Sequence, residues 1–78
     1  MNHTRVQIRS AKNVQIVTLL IEGLSPKEIA PKVDLQPDAV RKRLERLRHN
    51  LGVQTNTALV GRVLEARWKN RQKSREAA

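Results

Sequence analysis

At 78 residues the chain is one small domain with short flanking segments, too small to bury a large core. Sixteen Lys and Arg against seven Asp and Glu give a net charge of +9. Such a chain attracts polyanions before any specific contact forms, nucleic acid first and an anionic membrane surface second. The absence of cysteine rules out disulfides and thiolate metal sites, and a single aromatic residue, Trp68, argues against the stacked rings of RNA-binding sheets and single-strand platforms.

Residues 1–9 (MNHTRVQIR) are expected to form a polar arm, pinned by Val6 and Ile8. No long apolar run follows the N-terminus, and runs such as Leu19-Leu20-Ile21 are too short to span a bilayer. A cytoplasmic protein without a membrane partner is expected. Ser10 is placed to cap a first helix over about 11–22, in which Val14, Val17, Leu20, Ile21 and Leu24 recur at helical spacing and Ile16 widens the face. Gly23 suits a left-handed stop.

Ser25-Pro26-Lys27-Glu28 opens a second helix over about 25–33. Ser caps, Pro takes the first helical position, and Glu reaches back to the cap. Ile29, Ala30 and Val33 supply its buried face. Pro31 removes a hydrogen bond and crowds the preceding turn, so the helix is expected to bend or end early. Asp34 stands where a left-handed residue is wanted, a place easier for Gly or Asn.

A third helix is predicted over about 37–50. At about 100° per residue, Val40, Leu44, Leu47 and Leu51 fall on one narrow stripe. The opposite face carries Asp38, Lys42, Glu45, Arg46 and His49, with Arg41, Arg43 and Arg48 on its flanks. Gly52 ends it. Thr55 caps a fourth helix over about 56–68, whose apolar face (Leu59, Val60, Val63, Leu64, Trp68) is wider than one small neighbour needs. Gly61 beside it leaves room for another backbone. Since a core this small is marginal, oligomerisation is the remaining common route to stability. Residues 69–78 continue an alternation of basic side chains that buries nothing, and a disordered basic tail is expected.

The segment EGLSPKEIAPKVDLQPDAVRKRLERLRHNLGVQTNTALV resembles the DNA-binding domain of LuxR-type regulators, also called the GerE or FixJ type. The resemblance rests on Glu22-Gly23-Leu24-Ser25, Lys27-Glu28-Ile29-Ala30, Val40-Arg41, Leu44, Leu51-Gly52-Val53, Thr57 and Leu59-Val60, and it covers roughly residues 10–66. It implies an all-α, four-helix fold in which helices two and three form a helix-turn-helix and helix four pairs two domains on DNA, so that the apolar face of Leu59, Val60, Val63, Leu64 and Trp68 is the expected dimer interface and Val63→Asp is expected to yield monomers. It further implies base and backbone contacts at Arg41, Lys42 and Glu45, with Lys27 near the phosphates. The chain departs from the pattern at Asn13, where an acidic residue is usual, at Gln36, where Ser or Thr usually caps, and at Pro31, Asp34 and Glu45. Most members also carry a receiver or ligand-binding domain, for which this length leaves no room.

The chemistry of the third helix supports the same use. Lys42, Arg46 and His49 are candidate base contacts, since Arg binds guanine O6 and N7 bidentately and Lys reaches the same atoms. Glu45 is matched to a cytosine amino group. Arg41, Arg43 and Arg48, with Lys27 and Gln36, are candidate contacts to the phosphate backbone. A solvated charged surface accounts for the same residues if Glu45 pairs with Arg41, Arg48 or His49. Lys32 and the basic residues from Arg67 to Arg75 serve solubility equally well. His3 and His49 have no neighbouring ligand set, and no catalytic grouping or phosphate loop is present, so no enzyme, metal, cofactor or small-molecule ligand is expected. The leading expectation is a homodimeric regulator on double-stranded DNA without its own sensor. The alternatives are a module that forms inactive heterodimers with a full-length LuxR-type regulator, and one that contacts RNA polymerase.

Overall fold

The computed structural model describes Ile8 and residues 10–77, with side chains as far as Arg71. Among these residues the fold is all-α: α1 (Ala11–Ile21), α2 (Pro26–Lys32), α3 (Pro37–Leu51) and α4 (Asn56–Ala77). Of the expected arm, Ile8 alone is described, and it packs half-buried against the core. Val6 lies outside the described residues.

The helix starts follow local chemistry. Ser10 Oγ accepts from the Asn13 N–H at 3.3 Å, and Thr55 Oγ1 accepts from the Ala58 N–H at 3.0 Å. At α2 the capping box is complete. The Ser25 N–H donates to Glu28 Oε1 at 2.9 Å, and the Glu28 N–H donates to Ser25 Oγ at 3.3 Å. The bond from the Ser25 N–H, and after it the Ser25 side chain, lower the Glu28 pKa.

The first three helices share one kind of ending. A left-handed residue reverses the chain, and the next N–H reaches back to a carbonyl five residues earlier. Leu24 donates to Leu19 at 3.1 Å, Leu35 to Ala30 at 3.0 Å and Val53 to Arg48 at 2.9 Å. The left-handed residues are Gly23, Asp34 (φ +57) and Gly52. Asp34 holds this conformation despite its Cβ, at a cost below the roughly 1–2 kcal/mol of an ordinary side chain. Pro31 sits inside α2, which ends one residue later at Lys32.

The core is one cluster of Ile16 and Val17 from α1, Ile29 and Ala30 from α2 with Val33 just beyond, Val40, Leu44 and Leu47 from α3, and Leu59 and Val63 from α4. Two details differ from the expected pattern. Ile16 lies at the centre of the core with no exposed surface, whereas Val14 is 41% exposed. Three neighbouring helices enclose the Ile16 side of α1, so its buried face is rotated away from the stripe through Val14.

The larger correction concerns the C-terminus. The fourth helix does not stop near 68 but runs to Ala77. Alternating basic residues bury nothing, yet Arg, Lys, Gln, Glu and Ala are good helix formers. Glu65 pairs with Lys69 one turn on at 3.1 Å, in the order that favours a helix. At 1.5 Å per residue, a 22-residue helix is about 33 Å long. Its packing ends with Val63 and half-buried Ala66, so the rest projects and the molecule measures 42 × 22 × 20 Å. No helix among the described residues is long and apolar enough to cross a membrane.

Candidate nucleic-acid interface

The helix α3 carries five basic and two acidic side chains, a net charge of +3 with His49 neutral. Pro37 occupies its first position and Gln36 its N-cap, but the Gln36 side chain makes no capping bond and stays exposed. The stripe of Val40, Leu44 and Leu47 is buried, which fixes the rotation of the helix about its axis. The opposite face is then forced outward. Lys42, Glu45, Arg46 and His49 are all exposed and line one shallow concavity together with Asn50.

Asn50 was missed in the sequence, although it stands about 80° around the helix from Lys42. A polar, uncharged residue near the end of a helix gives no signal of its own. Its amide offers both a donor and an acceptor to the face.

Glu45 makes no ion pair among the described residues; the pairing with Arg41, Arg48 or His49 that a plain solvated surface would use does not occur. Arg41 instead pairs with Asp38 at 2.9 Å, both well exposed. Such a pair is worth little in stability, and the carboxylate offsets part of the charge that Arg41 would offer a phosphate.

The two other flanking arginines are braced from outside the helix. Arg43 Nη1 donates to Asn13 Oδ1 of α1 at 3.0 Å. Arg48 Nη1 donates to Asn56 Oδ1 at the start of α4. Both arginines are half-buried. A third cross-link lies at the turn before α3, where Lys12 Nζ donates to the Val33 carbonyl at 2.7 Å. Lys12 so satisfies a carbonyl at the C-terminal, electronegative end of α2. None of these links was legible in the sequence, since their partners stand 30, 8 and 21 residues apart. Lys27 and Lys32 are exposed on α2.

The expected interface residues of α4 divide into two groups. Leu59 and Val63 are 0% and 4% exposed, spent in the core of their own chain. Val60 is half-buried, while Leu64 and Trp68 are 45% and 59% exposed. Val60, Leu64 and Trp68 recur every fourth residue and so form one stripe. Gly61 is exposed beside it, with open space where a Cβ would stand. Val63→Asp is therefore a poor probe of association, because it places a charge in the core.

Among the described residues, no group of three His, Cys, Asp or Glu side chains comes together. Comparison of the chain with protein-family models, curated proteins and solved structures gives no match.

Proposed function

We propose that this chain is a stand-alone helix-turn-helix domain of the LuxR type that binds double-stranded DNA as a homodimer and regulates transcription. One observation carries the reading. The face of α3 opposite the buried stripe is an uninterrupted exposed surface of Lys42, Arg46, His49, Asn50 and Glu45, presented after a short turn from a capped helix. A helix of this diameter fits the major groove, where Arg and Lys read guanine and a carboxylate accepts from cytosine. The four-helix order and the exposure of Lys27 near the start of α2 agree with the sequence resemblance.

The test is a polarisation titration on genomic duplex fragments at several salt concentrations. Affinity falls steeply with salt, by about 0.9 in the log–log slope for each phosphate neutralised. Binding without salt dependence, or no binding, sinks the reading. Lys42→Ala with Arg46→Ala removes sequence preference more than non-specific affinity, because base contacts carry the preference and phosphate contacts most of the rest.

A second reading is favoured by the exposed stripe on α4. A module that captures the corresponding helix of a full-length LuxR-type regulator needs Leu64 and Trp68 exposed, as they are. Light scattering with and without a palindromic duplex separates the two. The DNA-binding dimer gains the mass of one duplex per pair of chains, whereas an antagonist gains none.

A further inference from the structure

We infer that Asn13 and Asn56 are positioning residues that hold the guanidinium groups of Arg43 and Arg48 at the two flanks of α3 while leaving their charge for DNA phosphates; this rests on the DNA-binding reading above. Measured around the helix from Lys42, Arg43 stands about 100° to one side and Arg48 about 120° to the other. Each donates one Nη1 hydrogen bond to an asparagine from a neighbouring helix, Asn13 in α1 and Asn56 in α4. The arrangement is therefore the same on both edges of the exposed face, although the two braces come from opposite ends of the chain.

The chemistry of the acceptor is the point. An amide oxygen fixes one arm of the planar fork but carries no charge. The arginine keeps its full positive charge and its remaining N–H donors, already restrained in rotamer, so a phosphate contact costs less side-chain entropy. A carboxylate in the same place would hold the guanidinium more tightly and neutralise it. That alternative is seen one turn away, where Asp38 pairs with Arg41 at 2.9 Å. The flanks of α3 thus hold one arginine offset by a carboxylate and two that are oriented without being offset.

The test exchanges the amides for carboxylates of the same shape. Asn13 is the third residue of α1 and Asn56 the first of α4. A negative charge is favoured in the first turn of a helix, so Asn13→Asp and Asn56→Asp keep the fold. Binding to a mixed-sequence duplex is followed by polarisation between about 50 and 200 mM salt. Each substitution makes the log–log slope shallower by about 0.9 for every bound protomer, with the thermal midpoint unchanged or raised. A role confined to stability moves the midpoint and leaves the slope alone. Asn13→Ala with Asn56→Ala keeps the charges but frees the side chains, and weakens binding several-fold at nearly the original slope.

A wild-type chain that does not bind the duplex overturns the DNA-binding reading and this inference together. Wild-type binding with the original slope retained in the folded Asp variants overturns the inference alone. If the Asp variants do not fold, the folded Ala pair decides, and unchanged affinity there rejects the positioning role.

Discussion

Two residues at the start of α2 link local structure to pH. Ser25 and Glu28 satisfy each other's backbone N–H groups, and the Glu28 carboxyl is held below its ordinary pKa by the bond from the Ser25 N–H and then by the Ser25 side chain. A depressed carboxylate binds its proton less readily in the folded chain than in the unfolded one. Its contribution is therefore fully present above the unfolded value, near pH 4.3, and is lost as pH falls through the lower folded value. Glu28→Gln keeps an oxygen acceptor but cannot titrate, so the stability curve of this variant is flatter on the acid side in denaturant melts below pH 5. A wild-type acid limb in the variant refutes the assignment. Ser25→Ala costs about 1 kcal/mol at neutral pH. Asp34 offers the opposite case. Its left-handed backbone (φ +57) is unfavourable for a side chain, and Asp34→Gly raises stability by about 0.5 kcal/mol after the added freedom of the unfolded chain is counted. A lower melting midpoint in that variant contradicts the strain at this turn.

At the scale of elements, α3 is held on three sides. Its apolar stripe packs on the other helices, Asn13 braces one flank, and Asn56 braces the other. Leu44 is fully buried at the centre of the stripe, and Leu44→Ala is expected to cost about 2–5 kcal/mol. A domain of this size has only about 4–12 kcal/mol in all, so this variant is expected to be partly unfolded at 37 °C by circular dichroism. The fourth helix has one apolar surface that is buried and one that is exposed. Val63 faces inward, and Val63→Asp is expected to unfold the chain. Leu64 and Trp68 face outward, and on the proposed dimeric reading Leu64→Asp keeps the helicity of the folded chain while abolishing self-association in sedimentation experiments. A folded Leu64→Asp variant that still dimerises removes α4 from the interface.

For the whole molecule, charge and shape act together. The excess of nine positive charges is spread over a body 20–22 Å across with a long helical projection. General attraction to polyanions follows from the charge alone, whereas a preferred sequence requires that Lys42 and Arg46 be aimed at base edges. Selection of bound duplexes from a random pool separates the two. An inverted repeat recovered by the wild type and lost by the Lys42→Ala, Arg46→Ala variant is the expected result, and recovery of no common sequence leaves only non-specific binding. Residues Arg67, Lys69 and Arg71 lie on the projecting part of α4, all exposed. Their charge extends along a helix, where each side chain's direction is set by the backbone.

Much of this protein was determined by its sequence alone, because the determinants are local. Ser10, Ser25 and Thr55 cap because a short oxygen side chain reaches the N–H three residues on, and Gly23 and Gly52 stop helices because they tolerate a left-handed backbone. The stripe of Val40, Leu44 and Leu47 was visible because helical period fixes which residues share a face, and the outward face of Lys42, Glu45, Arg46 and His49 follows from the same geometry. The tertiary structure decided what period cannot. It put Ile16 rather than Val14 at the centre, since only packing chooses among the adjacent faces of an apolar helix. It claimed Leu59 and Val63 for the core and left Leu64 and Trp68 outside, dividing a face that looked continuous in sequence. It carried α4 to Ala77, where helix propensity rather than burial governs the backbone. It also joined Arg43 to Asn13, Arg48 to Asn56 and Lys12 to Val33, contacts between residues that only the folding of the helices onto one another brings within hydrogen-bond reach.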